Sequence, residues 1–226
     1  MSFEICIGNY GYYNEGELRD KWMELPIAPS AFHAWLKGDG LWDEAHEEIY
    51  ISDYDDTPFG CSKAFHENAS IHELSLLARQ MEEMGEGEAE KVEAWCGYVE
   101  DPSSIRELMN LIEQVEDLPI YGYSFDFAGD EDEWGQLWVD RQTPEENLGW
   151  QFLQENAALS AALAADSYAS SAFDVESYGS MIADGGITPC QRFYIDNCAD
   201  GPDLDRFDLA YFEDRYGWAR AEGAAA

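Results

Sequence analysis

A formal net charge of −36 on 226 residues constrains this chain more than any other feature, because any compact fold must accommodate 48 Asp and Glu against only 12 Lys and Arg. Unpaired carboxylates belong in water, so nearly all of them must lie outside while an apolar interior is still assembled. That interior is available: 46% of residues are hydrophobic and 14% aromatic, including 8 Trp, 13 Tyr and 11 Phe, which is not the composition of a disordered chain. The charge also excludes partners. Nucleic acid is held by neutralising phosphates with Lys and Arg, and anionic bilayers attract basic segments, so neither nucleic acid nor a membrane is expected to bind.

The length suits one large domain or two to three small ones. Met1-Ser2-Phe3-Glu4 shows no positive region ahead of an apolar stretch, and the tract Ala157–Ala165 falls far short of the roughly 20 residues a bilayer span needs. Cys6, Cys61, Cys96, Cys190 and Cys198 are odd in number and form no Cys-x-x-Cys pair. Reduced thiols in a cytoplasm are therefore expected, with neither a disulfide frame nor a zinc site.

Periodicity divides the chain into an N-terminal α+β domain at 1–66, a helical domain at 67–122 and a C-terminal α+β domain at 123–226. Phe3, Ile5 and Ile7 alternate as a strand, Asn14-Glu15-Gly16 turns into a short helix carrying Leu18 and Trp22, a second helix runs over 29–37, and Ile49 and Ile51 alternate again. Ser70-Ile71-His72-Glu73 and Ser104-Ile105-Arg106-Glu107 are capping boxes opening amphipathic helices. Residues 70–84 and 104–118 share seven identities in fifteen at an offset of 34, an internal echo too short for a solenoid; a third helix lies between them at about 88–96. Thr143-Pro144-Glu145-Glu146 starts another helix, 157–172 reads as helix or linker, and 192–196 alternates as a strand.

Catalytic patterns are not evident. Gly8-Asn9-Tyr10-Gly11 and Gly85-Glu86-Gly87 lack the context of a phosphate loop. His33, His46, His66 and His72 have no metal-ligand spacing, and His46 and His72 read as solvated or helix-cap groups. Asp203, Asp205 and Asp208 lack the central Gly and closing Glu of a calcium loop, so a solvated acidic turn is the expectation. Two of the 48 carboxylates could still form a glycosidase-like pair in an acidic cleft, a hydrolase alternative that sequence leaves open. Acids nevertheless run through every segment: Asp43, Glu44, Glu47, Glu48, Asp53, Asp55 and Asp56; Glu82, Glu83, Glu86, Glu88, Glu90 and Glu93; then Glu113, Glu116, Asp117, Asp126, Asp130, Glu131, Asp132 and Glu133. These form the candidate partner-binding surface.

B-DNA carries one charge per roughly 1.7 Å of axis, so 36 charges match about 61 Å of duplex, or about 18 base pairs. A compact globule of this length has a diameter of only about 45 Å, so a DNA-like charge density requires an elongated body, such as three small domains in a row. Such a body would occupy the basic groove of a DNA-binding protein. Salt-adapted proteins reach similar compositions, and with only four lysines here composition leaves both readings open.

The segment Ile7-Gly8-Asn9-Tyr10-Gly11-Tyr12-Tyr13-Asn14-Glu15-Gly16-Glu17-Leu18, with Trp22 and Leu25-Pro26, resembles the N-terminal signature of the ArdA antirestriction proteins. Glu48 to Asp55 resembles that family's next strand and acidic turn, with Ser52 where His is common; Ser70 to Ala78 resembles the opening of its helical domain. Asn147 to Glu155 and Phe173 to Gly179 resemble its C-terminal elements, with extra residues around 156–172 and 196–226. The resemblance implies an elongated, three-part mimic of DNA that forms a homodimer through its C-terminal domain, near 173–195. It implies occupancy of the DNA groove of type I restriction-modification enzymes on behalf of mobile genetic elements. No catalytic residue and no cofactor carries over, and Asn14-Glu15-Gly16 is expected to be a turn that fixes the fold.

Overall fold

The computed structural model describes residues 2–199 and 206–218, the side chain of Glu86 excepted; Asp203, Asp205 and the tail from 219 lie outside the described residues. The chain is mixed α+β and forms two compact units, one of Met1–Val115 with Leu204–Ala226 and one of Glu116–Asp203. Stretches 1–66 and 67–115, expected as separate domains, thus share a unit, and the chain after 204 joins them.

In the first unit, β1 (Glu4–Asn9) is the central strand of an antiparallel sheet, between β2 (Lys21–Glu24) and β3 (Ile49–Tyr54). The helix expected around Leu18 and Trp22 is not formed. Pairing with β1, which sets Met23 opposite Ile5 and Trp22 opposite Cys6, takes residues 21–24 into the sheet instead. Period 2 then buries Met23 and Leu25 and leaves Trp22 exposed, so tertiary pairing overrides a local pattern that had fitted a helix. The short helix lies earlier, at α1 (Tyr10–Asn14), and α2 (Pro29–Gly38) starts on its proline.

Helices α3 (Ile71–Glu83), α4 (Glu86–Tyr98) and α5 (Ile105–Glu113) follow. Both expected boxes are half realised: the Ser70 and Ser104 hydroxyls accept from the N–H groups of Glu73 and Glu107 at 3.3 and 3.2 Å. The glutamates turn elsewhere. Glu73 pairs with Arg106 across to α5, and Glu107 accepts from the Ser103 N–H at 2.8 Å and its hydroxyl at 2.6 Å. Helix α10 (Leu209–Tyr216) packs on α3. Asn110 fixes its approach, accepting from the Phe207 N–H at 2.7 Å and donating to the Phe207 carbonyl at 3.1 Å as a strand neighbour would. Cys61 and Cys96 are joined by a disulfide with Cα atoms 5.9 Å apart, which corrects the expectation of five reduced thiols. Spacing rules detect near-neighbour pairs, and these two stand 35 residues apart.

In the second unit β4 (Ile120–Gly122), β6 (Phe193–Asp196) and β5 (Ile187–Pro189) form an antiparallel sheet in that order. Helix α6 (Pro144–Glu155) is capped by Thr143, whose hydroxyl accepts from the Glu146 N–H at 3.1 Å. The 157–172 stretch is helical, as α7 (Ala157–Ala165) and α8 (Ser167–Ala172), with no buried residue in either. Helix α9 (Val175–Ala183) crosses α6 at Gly149 and Gly179, where a Cβ would overlap the backbone carbonyls of Val175 and Glu145 respectively. Phe127, Trp138 and Trp150 meet edge to face, with centroids 4.9 to 6.1 Å apart, around a core of Phe125, Ala128 and Val139.

Candidate partner-binding surface

The acidic runs fall on loops, turns and helices of both units. Asp43, Glu44, Glu47 and Glu48 lie on the loop between α2 and β3; Asp53, Asp55 and Asp56 close β3 and its turn. Glu82 and Glu83 end α3, and Glu86, Glu88, Glu90 and Glu93 run along α4. Glu113, Glu116 and Asp117 lie at the end of α5 and in the turn after it, and Asp126 to Glu133 on the loop beyond β4. Of the twenty whose side chains are described, sixteen are exposed; Glu88, Glu90, Glu113 and Asp132 are the less exposed four. Both units carry the same sign: 18 acidic against 2 basic residues leave −16 on the second, and 30 against 10 leave −20 on the first.

Several of these acids serve the fold. Asp43 accepts from the Tyr12 hydroxyl at 2.7 Å, from the N–H groups of Ala45 and His46 at 2.8 and 3.0 Å, and meets the His46 ring at 2.8 Å. The Tyr12 hydroxyl, then His46, then the Ala45 N–H hold its carboxyl well below the usual carboxylate range. His46 is not the solvated group expected: its side chain is 14% exposed, stacked on Tyr12 and 3.2 Å from Glu15. Hydrogen bonding to Asp43, and next to Glu15, raises its pKa. His72 meets Glu213 at 2.9 Å.

Glu88 reaches back 2.7 Å to the Gly85 N–H and so caps α4, while the Asp132 carboxylate accepts from the N–H groups of Trp134 and Gln136, each at 2.9 Å. The latter bonds, Gln136 foremost, lower the pKa of Asp132. Glu113 is withdrawn from any outward field. Its side chain is 6% exposed, accepting from the Tyr211 and Tyr216 hydroxyls at 2.7 and 2.8 Å and from Gln80 at 3.2 Å, and pairing with Arg215. It anchors α10. Conversely, exposed acids outside the runs, among them Asp20, Glu24, Asp166, Glu176 and Asp184, extend the same field, although singly they carry no sequence signal.

The N-terminal signature also proves architectural. Buried Asn9 donates to the Leu41 and His46 carbonyls at 2.9 Å each and accepts from the N–H groups of Gly11 and Tyr12 at 2.8 and 3.2 Å, capping α1 and holding the 41–46 loop on it. Asn14-Glu15-Gly16 ends α1 as a turn, with Gly16 at a φ of 86°. Asn147 repeats the device in the second unit, donating to the carbonyls of Val139 and Gln191 at 2.8 and 2.9 Å. The signal for Asn9 is its place directly before a helix; for Asn147 the sequence offers none.

Among the described residues no three His, Cys, Asp or Glu converge as a metal site, and no helix is long and apolar enough to cross a membrane. What remains is a carboxylate surface spread over both units. Among curated proteins none matches this chain. A family model described as antirestriction protein (ArdA) matches residues 5–203.

Proposed function

This chain belongs to the ArdA family of antirestriction proteins, and we propose that it acts without catalysis, as a carboxylate mimic of B-form DNA that occupies the DNA groove of type I restriction-modification enzymes. The observation that carries this reading is the distribution of charge: sixteen exposed acids of the candidate surface lie on six separate segments of the chain, in both units. A groove lined with Lys and Arg is matched to phosphates, and carboxylates borne on a folded body satisfy the same cations and release the same counterions. Affinity built this way is spread thinly. Each exposed ion pair contributes at most about 1 kcal/mol, so no single acid dominates.

The test is competition. A type I methyltransferase holding a labelled duplex at low salt is titrated with the protein; displacement should be complete and should weaken steeply as salt rises. Retention of the duplex under a large excess at low salt sinks the reading. We further propose that the active form is a homodimer meeting through 173–195, where Met181 is 72% exposed on α9. Sedimentation of the wild type as a dimer and of Met181→Asp as a monomer is the expected outcome.

A further inference from the structure

Trp134 is 82% exposed, the most exposed tryptophan among the described residues, yet the turn that presents it is ordered by hydrogen bonds. The Asp132 carboxylate accepts from the Trp134 and Gln136 N–H groups, the Asp132 N–H donates to the Gln136 carbonyl at 3.0 Å, and the Gly135 N–H donates to the Asp132 carbonyl at 3.1 Å. Gly135 takes the left-handed φ of 78° that closes the turn. Below it Glu131 bridges Leu137, the Trp138 N–H donates to the Asp130 carbonyl at 2.8 Å, and Leu137 and Trp138 pack on the aromatic core of the second unit. The base of the turn is thus seated in the core while its tip is in water.

A tryptophan offers roughly 150–250 Å² of surface to bury, and the burial demands little ordering when its backbone is already held. Aromatic anchors of this kind dominate protein interfaces. Its neighbours define the partner. Asp130, Glu131, Asp132 and Glu133 place four acids in succession beside it. Asp132 points inward to the turn, and Asp130, Glu131 and Glu133 are exposed. The complementary surface is therefore basic and contains a pocket for one flat aromatic group. Enzymes that modify a base within a duplex have that combination, because the target base must leave the stack and enter a pocket beside cations that hold the flanking phosphates.

We propose that Trp134 stands in for the extruded base, entering the base pocket of the target methyltransferase while Asp130, Glu131 and Glu133 meet the cations around it. This rests on the groove-occupancy reading above and adds to it one residue-specific contact. In the displacement assay Trp134→Ala should require at least tenfold more protein than the wild type with the salt slope unchanged, and Trp134→Phe should stay within threefold. Glu133→Gln should cost less than threefold and flatten the salt slope by about one. With p-benzoylphenylalanine at position 134, photocrosslinking should join the chain to the peptide lining the base pocket. If Trp134→Ala matches the wild type within twofold, or the crosslink falls elsewhere on the enzyme or on a second copy of this chain, the anchor is overturned and groove occupancy stands. A wild type that displaces no DNA overturns both.

Discussion

Gly179→Ala tests the packing of the second unit because two local rules give opposite signs. In a helix interior alanine is favoured over glycine by about 1 kcal/mol, so propensity alone predicts a more stable protein. The crossing of α6 and α9 predicts the reverse. A Cβ on Gly179 would lie 2.8 Å from the Glu145 carbonyl carbon and the Gly149 nitrogen, and nearer still to the Glu145 oxygen. These are backbone atoms of a packed helix and cannot rotate aside. The two helices would have to part, loosening contacts around Leu148 and Gln151, both buried on α6. Overpacking of this kind costs about 3 kcal/mol at the upper end of its usual range, and offsetting it by the propensity gain leaves a net loss of about 2 kcal/mol. Urea unfolding followed by near-ultraviolet circular dichroism reports the packing of aromatic side chains, which both units bury. The control is Gly97→Ala on the exposed side of α4, where a Cβ meets nothing within 4 Å and stability should rise by up to about 1 kcal/mol. A Gly179→Ala protein as stable as the wild type would refute the close crossing.

The first unit provides three further tests. Asn9→Ala removes two donated and two accepted hydrogen bonds at a buried site and should lower its stability by about 3 kcal/mol in urea, whereas a change below about 0.5 kcal/mol would refute the cap. Glu113→Ala removes the acceptor shared by the Tyr211 and Tyr216 hydroxyls and Arg215, so α10 should become susceptible to limited proteolysis at a loss of about 3 kcal/mol, with Glu113→Gln roughly half as costly; unchanged cleavage would contradict the anchor. Linkage gives the Asp43–His46 pair a pH window. His46, whose pKa is raised in the folded state, stabilises fully below its ordinary 6.5 and loses that contribution as pH climbs through the raised value. Asp43, lowered, stabilises above its ordinary 3.8 and loses its contribution as pH falls. The unfolding midpoint should therefore decline above neutrality in the wild type and flatten in His46→Gln; matching profiles would discount the pair.

Local sequence determined where several helices begin. Ser70, Ser104, Thr143 and Pro29 act within four residues of themselves, by donors and dihedrals that need no distant partner, and α3, α5, α6 and α2 start at them. Composition likewise determined that the surface is acidic, since 48 carboxylates cannot be interior. Tertiary structure decided what depends on partners far along the chain. Residues 21–24 form a strand because β1 lies beside them; Cys61 meets Cys96 across 35 residues; Asn9 binds carbonyls 32 and 37 residues away. It also sorted the acids. Glu113 and Glu116 stand three apart in one acidic run, yet the first is enclosed by tyrosines from 98 and 103 residues further on and the second is exposed. Charge is a property of the residue, whereas its availability to a partner depends on which remote side chains the fold brings against it.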